Sequence, residues 1–497
     1  MTDDSTADDA EAGGETVVRR DRFSGGPARE FLSSLAGDSR IFAADLAVDR
    51  AHVVMLAEQG IISDEEAGSI LDALADVESA GHSDLSGGED VHEAIESAVI
   101  DRIGPDGGKM HTARSRNDEV AACIRYRLRA DLLEAAETTL ALREALIEAA
   151  AEHTETVMPG YTHLQPAQPI TVGHFLMSYA SAVERDTARL VDAYDRTNES
   201  PLGGAAFAGT PFDIDRERTA ELLGFDGVVD NSMDASSARD FLAESTATLA
   251  THATTLSGLA EDIIVFANKG YIDLSDDYSS TSSIMPQKKN PDTLELTRAV
   301  AGDAVGELTG LLTTLKGLPR AYNRDLQRAH PHTFRAVDAV VEASAVAAGA
   351  VSTADWNAEL LADEAGDGFS TATGIADLLA MAGLPFRTAH EIVALAAEGA
   401  EDDETAVSAA LLDSATQEVL DKSLFEYVDE QAVEGALDPA QSVASRDSQG
   451  GPAPEAVEVT IAGAREAVAS DSEAVVDRRE GLAAAETTLQ EAVDSYV

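Results

Sequence analysis

The chain has 497 residues, of which 44% are hydrophobic, and it carries a formal net charge of −56 at pH 7. The length predicts about three folding units. The negative charge excludes a nucleic-acid partner, because the phosphates would be repelled. No apolar run approaches the roughly 20 residues that span a bilayer, so no membrane role is expected.

Lysine is almost absent, at positions 109, 269, 288, 289, 316 and 422 only. Acidic residues are spread along the chain, and salt screens self-repulsion of this kind. The composition therefore predicts a source with a salt-rich cytoplasm. Residues 1–16 lack the basic start and apolar stretch of a signal peptide, which predicts a disordered acidic tail on a cytoplasmic protein. Cys123 is the only cysteine, so no cysteine metal cluster is expected, and we predict a small buried residue there.

Residues 17–117 are predicted to form a mainly helical N-terminal domain. A helical pattern opens near Asp90, and His92, judged from its own surroundings, is predicted to be a surface histidine on a charged turn. The polar residues 111–120 then lead into a long helix, for which Asn117 or Asp118 is the predicted cap. Capping does not explain Arg114, Ser115 and Arg116 together, and this group in an acidic chain indicates contact with an anion.

Pro159 stands directly before residues 160–169, which contain Pro166 and Pro169. Three prolines so close together predict an ordered connector. This segment presents Thr162, His163, Gln165 and Gln168, all of which form hydrogen bonds. The residues alone leave a structural and a catalytic role for His163 equally open.

Long helical patterns dominate the middle of the chain, over residues 170–197, 237–269, 292–318 and 327–351. The predicted fold is mainly α, with an elongated central bundle of long helices at 118–367 and smaller N- and C-terminal helical domains. The C-terminal domain is predicted at 368–497, from shorter helices.

Residues 279–291 interrupt these helices with a polar loop rich in serine. Asn290 is the predicted cap of the following helix, and Pro291 its first residue. Lys288 and Lys289 would then lie at the positive end of that helix, which favours a carboxylate or a phosphate. A solvated loop is the alternative, and the shortage of lysine elsewhere in the chain favours the anion site.

Together these segments resemble the argininosuccinate lyase branch of the fumarase/aspartase superfamily. The resemblance is carried by Ser-Ser-Ile-Met-Pro-Gln-Lys-Lys-Asn-Pro at 282–291, Ser-Arg-Asn-Asp-Glu-Val at 115–120, Gly-Tyr-Thr-His-Leu-Gln-Pro-Ala-Gln-Pro at 160–169, Tyr-Asn-Arg-Asp-Leu-Gln at 322–327, Ala-Gly-Thr-Pro-Phe-Asp-Ile-Asp-Arg at 208–216 and Gly-Leu-Pro-Phe-Arg-Thr-Ala-His-Glu at 383–391. It covers nearly the whole chain after about residue 19.

The resemblance implies reversible cleavage of argininosuccinate to fumarate and arginine, with no cofactor or metal. It implies catalytic roles for His163, Ser282, Lys288 and Glu295, and leaves open which of Ser282 and His163 is the base and which the acid. The substrate-binding residues that it implies are Ser34, Asp90, His92, Ser115, Arg116, Asn117, Thr162, Asn290, Tyr322, Gln327 and His330.

The same resemblance implies a homotetramer in which three subunits contribute to each active site. Two positions depart from the family: His330 replaces the usual lysine, and Gly374 the usual acidic residue. A protonated His330, His332 or Arg328 are the candidates for the missing cation. The alternative functions are an adenylosuccinate lyase or aspartase-type ammonia lyase, and a catalytically silent helical scaffold.

Overall fold

The computed structural model describes residues 27–402 and 405–497, so the predicted acidic tail at 1–16 lies outside the described residues. Helices make up 72% of the structure. This confirms the predicted mainly α fold, with its elongated bundle of long helices. Within the described ranges, none of the helices has the length and apolar character needed to cross a membrane.

The helices are numbered here in chain order. They are α1 (Pro27–Leu32), α2 (Phe42–Glu58), α3 (Asp64–Ala80), α4 (Val91–Ile103), α5 (Arg116–Glu152), α6 (Val172–Thr197), α7 (Arg216–Leu222), α8 (Ser232–Ser237), α9 (Asp240–Lys269), α10 (Asp292–Leu315), α11 (His330–Ser352), α12 (Ala358–Glu364), α13 (Ala372–Met381), α14 (Phe386–Asp402), α15 (Ala409–Leu420), α16 (Glu430–Leu437), α17 (Pro439–Ala444) and α18 (Pro454–Asp494). Short 3-10 helices lie at Leu35–Ile41, His82–Asp84, Pro105–His111, Asp276–Tyr278, Arg324–Arg328, Asp367–Phe369 and Leu424–Glu426.

The strands are short and form two-stranded sheets. The pairs are β1 (Val157–Thr162) with β2 (Gln165–Thr171), β3 (Glu199–Ser200) with β4 (Gly227–Val228), β5 (Ile272–Asp273) with β8 (Asp355–Trp356), and β6 (Ser280–Thr281) with β7 (Lys289–Asn290). The β1–β2 and β6–β7 pairs are antiparallel and present the two polar segments that the sequence singles out.

The central bundle consists of α5, α6, α9, α10 and α11, which have 37, 26, 30, 24 and 23 residues. Their buried leucines and alanines form one continuous core, to which the buried faces of α2, α3 and α4 also belong. Alanine lets neighbouring helix backbones approach closely, and this core contains many alanines.

Three helices of the bundle start later than the sequence predicts, in each case because a short element occupies the preceding residues. β2 precedes α6, α8 lies before α9, and the 3-10 helix Arg324–Arg328 precedes α11. The overall helical pattern is correct, but the predicted starts at 170, 237 and 327 are wrong. Amphipathic spacing continues across such short elements, so it does not locate the boundary.

The last helix, α18, has 41 residues, and the prediction of only shorter helices after residue 367 is wrong for it. Its buried residues Val457, Ile461, Val468 and Val475 belong to the core of the central bundle. The preceding helices α13 to α16 have a separate small core, which includes Ile375, Leu379, Ile392 and Leu412. The domain boundaries at 117/118 and 367/368 stay a prediction.

Candidate active site

A cavity of about 380 Å³ lies where the N-terminal ends of four helices meet. Asp90 is the N-cap of α4 and Ser115 that of α5, Arg239 immediately precedes α9, and His330 is the first residue of α11. Helix N-termini carry partial positive charge and unsatisfied N–H groups, so their convergence favours an anionic ligand. The cavity is lined by Ser34, Asp38, Ile41, Glu89, Asp90, His92, His111, Ser115, Arg116, Asn117, Val120, Arg239, Tyr322, Arg324, Leu326, Gln327 and His330.

The structure therefore brings together every predicted substrate-binding residue except Thr162 and Asn290. These residues come from segments separated by up to about 300 positions in the sequence, between Ser34 and His330. At the edge of the cavity, Ser34 Oγ donates a hydrogen bond of 2.8 Å to Asp38, and Gln327 Nε2 donates one of 3.1 Å to the carbonyl of Leu32.

The start of α5 is fixed by Ser115, so the prediction of Asn117 or Asp118 as the cap is wrong. Ser115 Oγ accepts from the backbone N–H of Asn117 at 3.3 Å, and Asp118 Oδ1 accepts from the N–H of Ser115 at 3.1 Å. The other carboxylate oxygen of Asp118 accepts from the N–H groups of Gly203 and Ala205. Asp118 thereby ties the loop after β3 to the start of α5, which leaves Asn117 in the cavity wall.

The two arginines beside Ser115 have different surroundings. Arg114 is buried and pairs with Asp49 at 2.7 Å and Glu119 at 3.0 Å, so the prediction that it contacts an anionic ligand is wrong. Arg116 lines the cavity and pairs with Asp90 at 3.0 Å and Glu93 at 3.6 Å. Its side chain is about one-third exposed, so it lies within reach of a ligand.

His92 is buried, so the prediction of a surface histidine, made from its own surroundings alone, is wrong. Its Nδ1 lies 2.8 Å from a carboxylate oxygen of Asp45, and the Cys123 thiol donates to the other oxygen of that carboxylate. Burial lowers the pKa of His92, but the charge and hydrogen bond of Asp45 outweigh burial and raise this pKa to about 10. His92 is therefore an imidazolium cation in the cavity wall at neutral pH.

His330, in contrast to His92, is neutral. Burial, followed by the positive charges of Arg239 and His92, lowers the pKa of His330 to about 3. A neutral His330 does not favour the hypothesis that a protonated His330 replaces the family's lysine, and that hypothesis stays a prediction. Neither alternative cation lines the cavity: His332 pairs with Glu307, and Arg328 is exposed.

Sequence reasoning missed Arg239, which is 3% exposed and lines the cavity. A signal was present, because Arg239 stands directly before α9, where a cation opposes the helix dipole. The other missed lining residues that carry charge or titrate are Asp38, Glu89, His111 and Arg324, and Arg324 pairs with Glu89.

His163 lies at the tip of the β1–β2 hairpin, in the two-residue turn between Thr162 and Gln165. His163 and Leu164 have φ angles of 59° and 57°, values that this turn type requires and that glycine or asparagine usually supplies. Thr162, His163 and Leu164 are all exposed. A strained turn that presents a histidine to solvent is typical of a functional position.

Ser282 and Lys288 bracket a loop that the short β6–β7 pair closes. The Ser282 N–H donates to the carbonyl of Lys288 at 3.1 Å. Ser282 Oγ accepts from the N–H groups of Ile284 at 3.4 Å and Met285 at 3.1 Å. Two N–H donors directed at one hydroxyl oxygen stabilise negative charge on it. Ile284 is 83% exposed, so the tip of this loop has free space around it.

The predicted cap after this loop is wrong. Asn290 belongs to β7 and pairs with Ser280, Pro291 holds the cap position, and α10 begins at Asp292. The helix begins one residue later than predicted because the β6–β7 pairing holds Asn290 in extended geometry. Glu295 is exposed in the first turn of α10. Lys289 pairs with Asp273 and Asp276, whereas Lys288 forms no ion pair within the described chain.

The cavity of a single chain thus includes none of the remaining predicted residues, which are Thr162, His163, Ser282, Lys288, Asn290 and Glu295. They lie on the β1–β2 hairpin, on the 282–288 loop with its β7 flank, and on the start of α10, and most of them are exposed.

Comparison with known proteins identifies the family to which the chain belongs. A model of the lyase family matches residues 29–306, and a model of the argininosuccinate lyase C-terminal region matches residues 369–444. The argininosuccinate lyase of Haloarcula marismortui is 66% identical to the chain over 99% of this chain and 98% of the relative. The chain belongs to the argininosuccinate lyase family. The argininosuccinate lyase of Natronomonas pharaonis is 67% identical and that of Methanosarcina acetivorans 45%, each over 97% of this chain and 97% and 99% of the relatives.

Two of these argininosuccinate lyases, from Haloarcula and Natronomonas, belong to halophilic archaea, which fits the predicted salt-rich source. Among solved structures, EDDS lyase in complex with formate has a TM-score of 0.86 at 35% identity, covering 95% of this chain and 96% of that one. Class II fumarase from Schistosoma mansoni has a TM-score of 0.69 at 16% identity, over 81% of this chain and 90% of that one, so the likeness concerns the fold alone.

Proposed function

We propose that this protein cleaves argininosuccinate reversibly to fumarate and L-arginine, as a cytoplasmic enzyme of arginine biosynthesis. The observation that carries the proposal is 66% identity over nearly the full length to a relative named argininosuccinate lyase. The cavity supports it, because four helix N-termini and the imidazolium of His92 suit a substrate with several carboxylates.

The reaction breaks a carbon–nitrogen bond by β-elimination. A base removes a proton from the carbon next to a carboxylate, and the resulting negative charge spreads into that carboxylate. The electrons then form the carbon–carbon double bond of fumarate, and an acid delivers a proton to the departing guanidinium nitrogen. Fixed positive charge and N–H donors around the carboxylate stabilise the carbanion. Each step is a proton transfer or an electrostatic effect, so the proposed reaction needs no cofactor or metal.

We assign the two proton transfers to Ser282 and His163 as a pair. The N–H groups of Ile284 and Met285 stabilise a Ser282 alkoxide, and we assign the ammonium of Lys288 to strengthening this effect. Glu295 is the proposed partner that orients His163, the usual role of a carboxylate behind a catalytic imidazole. Ser34, Asp90, His92, Ser115, Arg116, Asn117, Tyr322, Gln327 and His330 are the proposed binding residues of the cavity, with Thr162 and Asn290 joining from outside it.

A homotetramer with composite sites is the proposed assembly. His163 and Glu295 are exposed in one chain and lie outside its cavity, which supports their delivery to the cavity of another subunit. The exposed side of α10 supports such an assembly: Val305 and Leu312, which lie on one face of this helix, are 47% and 49% exposed. At Gly302 and Gly306 a side chain would meet no atom within 4 Å, so α10 also has room there for a second helix to approach closely.

The test of the proposed function is an assay of fumarate release from argininosuccinate in high salt, in which the absorbance of fumarate is measured over time. We expect activity in the wild type and a loss of at least about 100-fold in kcat for Ser282→Ala, because one proton transfer is removed. Ser283→Ala is the matched control, since Ser283 is the exposed neighbour on the same loop, and it should keep wild-type kcat. Wild-type protein that releases fumarate from adenylosuccinate or aspartate and not from argininosuccinate would refute the proposal.

The composite site is tested by mixing two inactive variants, Ser282→Ala and His163→Asn, and reassembling them. Mixed tetramers contain some sites in which both residues are intact, so partial activity should return. Each variant dissociated and reassembled with itself is the control and should stay inactive. Verified mixed tetramers without activity would contradict the sharing of sites between subunits.

A further inference from the structure

Arg239 is a buried arginine whose charge has no acidic partner. Arg239 is only 3% exposed and forms no ion pair within the described chain. Nη1 donates to the carbonyl of Ala238 at 2.8 Å, and Nε has no hydrogen-bond partner. A buried cation without an anion is costly, because desolvation is not compensated.

The other arginines of the cavity wall differ in this respect. Arg116 pairs with Asp90 and Glu93, and Arg324 pairs with Glu89. Among the histidines, the imidazolium of His92 pairs with Asp45, and His330 is neutral. Within the described residues that line the cavity, Arg239 is therefore the arginine without an acidic partner.

The groups around Arg239 do not remove its charge. Burial and the neighbouring charge of Arg125 lower the pKa of Arg239, whereas the ionised form of Tyr322 would raise it. The resulting pKa is about 10, so the guanidinium stays protonated at neutral pH. Arg239 also borders a second cavity of about 400 Å³, in which Asp234 and Asp240 are the acidic lining residues. Asp234 pairs with Arg320 at 3.0 Å, and Asp240 forms no ion pair with Arg239.

We propose that Arg239 binds a carboxylate of the substrate. This inference rests on the proposed function, because that function defines the substrate. The geometry agrees with it: Arg239, Tyr322 and His330 line the same cavity, at the N-terminal ends of α9 and α11. A guanidinium and a carboxylate form two parallel hydrogen bonds, and both Nε and one Nη of Arg239 remain for them.

The test compares Arg239→Gln and Arg239→Lys with a control, Arg125→Gln. Arg125 is a buried arginine close to Arg239, but it donates to the carbonyls of Arg196 and Thr197 and does not line the cavity. We expect Arg239→Gln to raise the KM for argininosuccinate by on the order of 30-fold, with kcat changed by less than about threefold. Arg239→Lys should raise KM less, because it keeps the charge and loses the paired geometry. Arg125→Gln should lower the unfolding temperature and leave KM unchanged.

Thermal unfolding supplies a readout that a purely structural arginine would not give. Without ligand, Arg239→Gln should unfold at the wild-type temperature or above it, because it removes an uncompensated buried charge. Fumarate and arginine are added separately as the carboxylate probes. At least one of them should raise the wild-type unfolding temperature and have a smaller effect on Arg239→Gln.

Two results would overturn the inference. One is unchanged KM and unchanged probe stabilisation in Arg239→Gln. The other is a lowered unfolding temperature in Arg239→Gln, as in Arg125→Gln, with KM unchanged. If Arg239→Gln does not fold, unchanged KM in Arg239→Lys has the same meaning. A failure of the proposed function is distinguishable, because the wild type itself would then not cleave argininosuccinate, and the two carboxylate probes would still report on Arg239.

Discussion

His92 and His330 line one cavity and carry different charges. Asp45 holds His92 as a cation, whereas burial beside Arg239 keeps His330 neutral. The difference comes from partners that are distant in sequence, since Asp45 lies 47 positions before His92 and Arg239 lies 91 positions before His330. A histidine in this fold is therefore defined by what packs on it, and its immediate neighbours in the chain say little about its charge.

The pair formed by Asp45 and His92 gives stability that depends on pH. The pKa of His92 is about 10 in the folded protein against 6.5 for the free side chain. Because the folded pKa is the higher one, the stabilisation is complete below about pH 6.5 and is lost as pH rises through about 10. We expect Asp45→Asn to cost roughly 3 kcal/mol at pH 7 and to flatten this pH dependence.

The measurement is unfolding at fixed salt between pH 6 and pH 10, with NMR titration of the His92 ring. Asp76→Asn removes the same charge from an exposed position on α3 and is the control. A His92 that titrates at the same pH in wild type and Asp45→Asn would contradict the assignment of Asp45 as the group that holds its proton.

At the scale of elements, several arginine ion pairs join α18 to the central bundle, and two of them differ in burial. Arg143 of α5 is fully buried and pairs with Asp471 of α18 at 2.6 Å and with Glu184 of α6 at 2.9 Å. Arg465 of α18 pairs with Glu148 of α5 at 2.7 Å, and both side chains are about half exposed. Burial determines how much each ion pair contributes to the free energy of unfolding, because exposed pairs are screened by water and salt.

We expect Arg143→Met to lower the free energy of unfolding by about 2 kcal/mol, because it leaves Asp471 and Glu184 without their cation and removes hydrogen bonds to charged groups. Arg465→Met breaks a contact between the same two helices and should cost less than about 1 kcal/mol. Thermal unfolding at equal salt compares the two variants. Equal losses would show that burial of the Arg143 pair is not what fastens α18.

The polar segments show how short elements position chemistry on long ones. The turn at His163 and Leu164 has two residues with positive φ, and the 282–288 loop is closed by a two-residue strand pair. Leu164 in the turn and Ile284 in the loop are 71% and 83% exposed, so neither tip is held by packing. Each is therefore held by backbone hydrogen bonds at the end of a long helix, which lets it present a side chain without burying it.

For the molecule as a whole, the net charge of −56 sets the conditions under which it folds. The Debye length is about 3 Å at 1 M salt and about 10 Å at 0.1 M, so dilution extends the repulsion between acidic side chains. We expect far-UV circular dichroism to show loss of helix on dialysis from molar to millimolar salt. Sodium and potassium chloride of equal ionic strength should protect equally if screening is the cause. A fully retained helical signal at low salt would contradict this.

Much of the molecule could be predicted from sequence because the informative features are local. Apolar periodicity indicates long helices, and the polar segments at 115–120, 160–169 and 282–291 differ plainly from their surroundings. Element starts were less predictable: Asn290 looked like a helix cap and is part of a strand, since its pairing with Ser280 cannot be read from either segment alone.

What the sequence by itself determined is therefore the helical architecture, the family and some of the residues that line the cavity. What only the tertiary structure decided is which charges remain free in that cavity. Arg114 and Arg239 are both buried arginines beside the start of a helix, but Asp49 and Glu119 neutralise Arg114, and Arg239 meets no acid. The reason is physical: the energy of a buried charge depends on desolvation and on groups within a few ångströms, and only the folded chain brings those groups together.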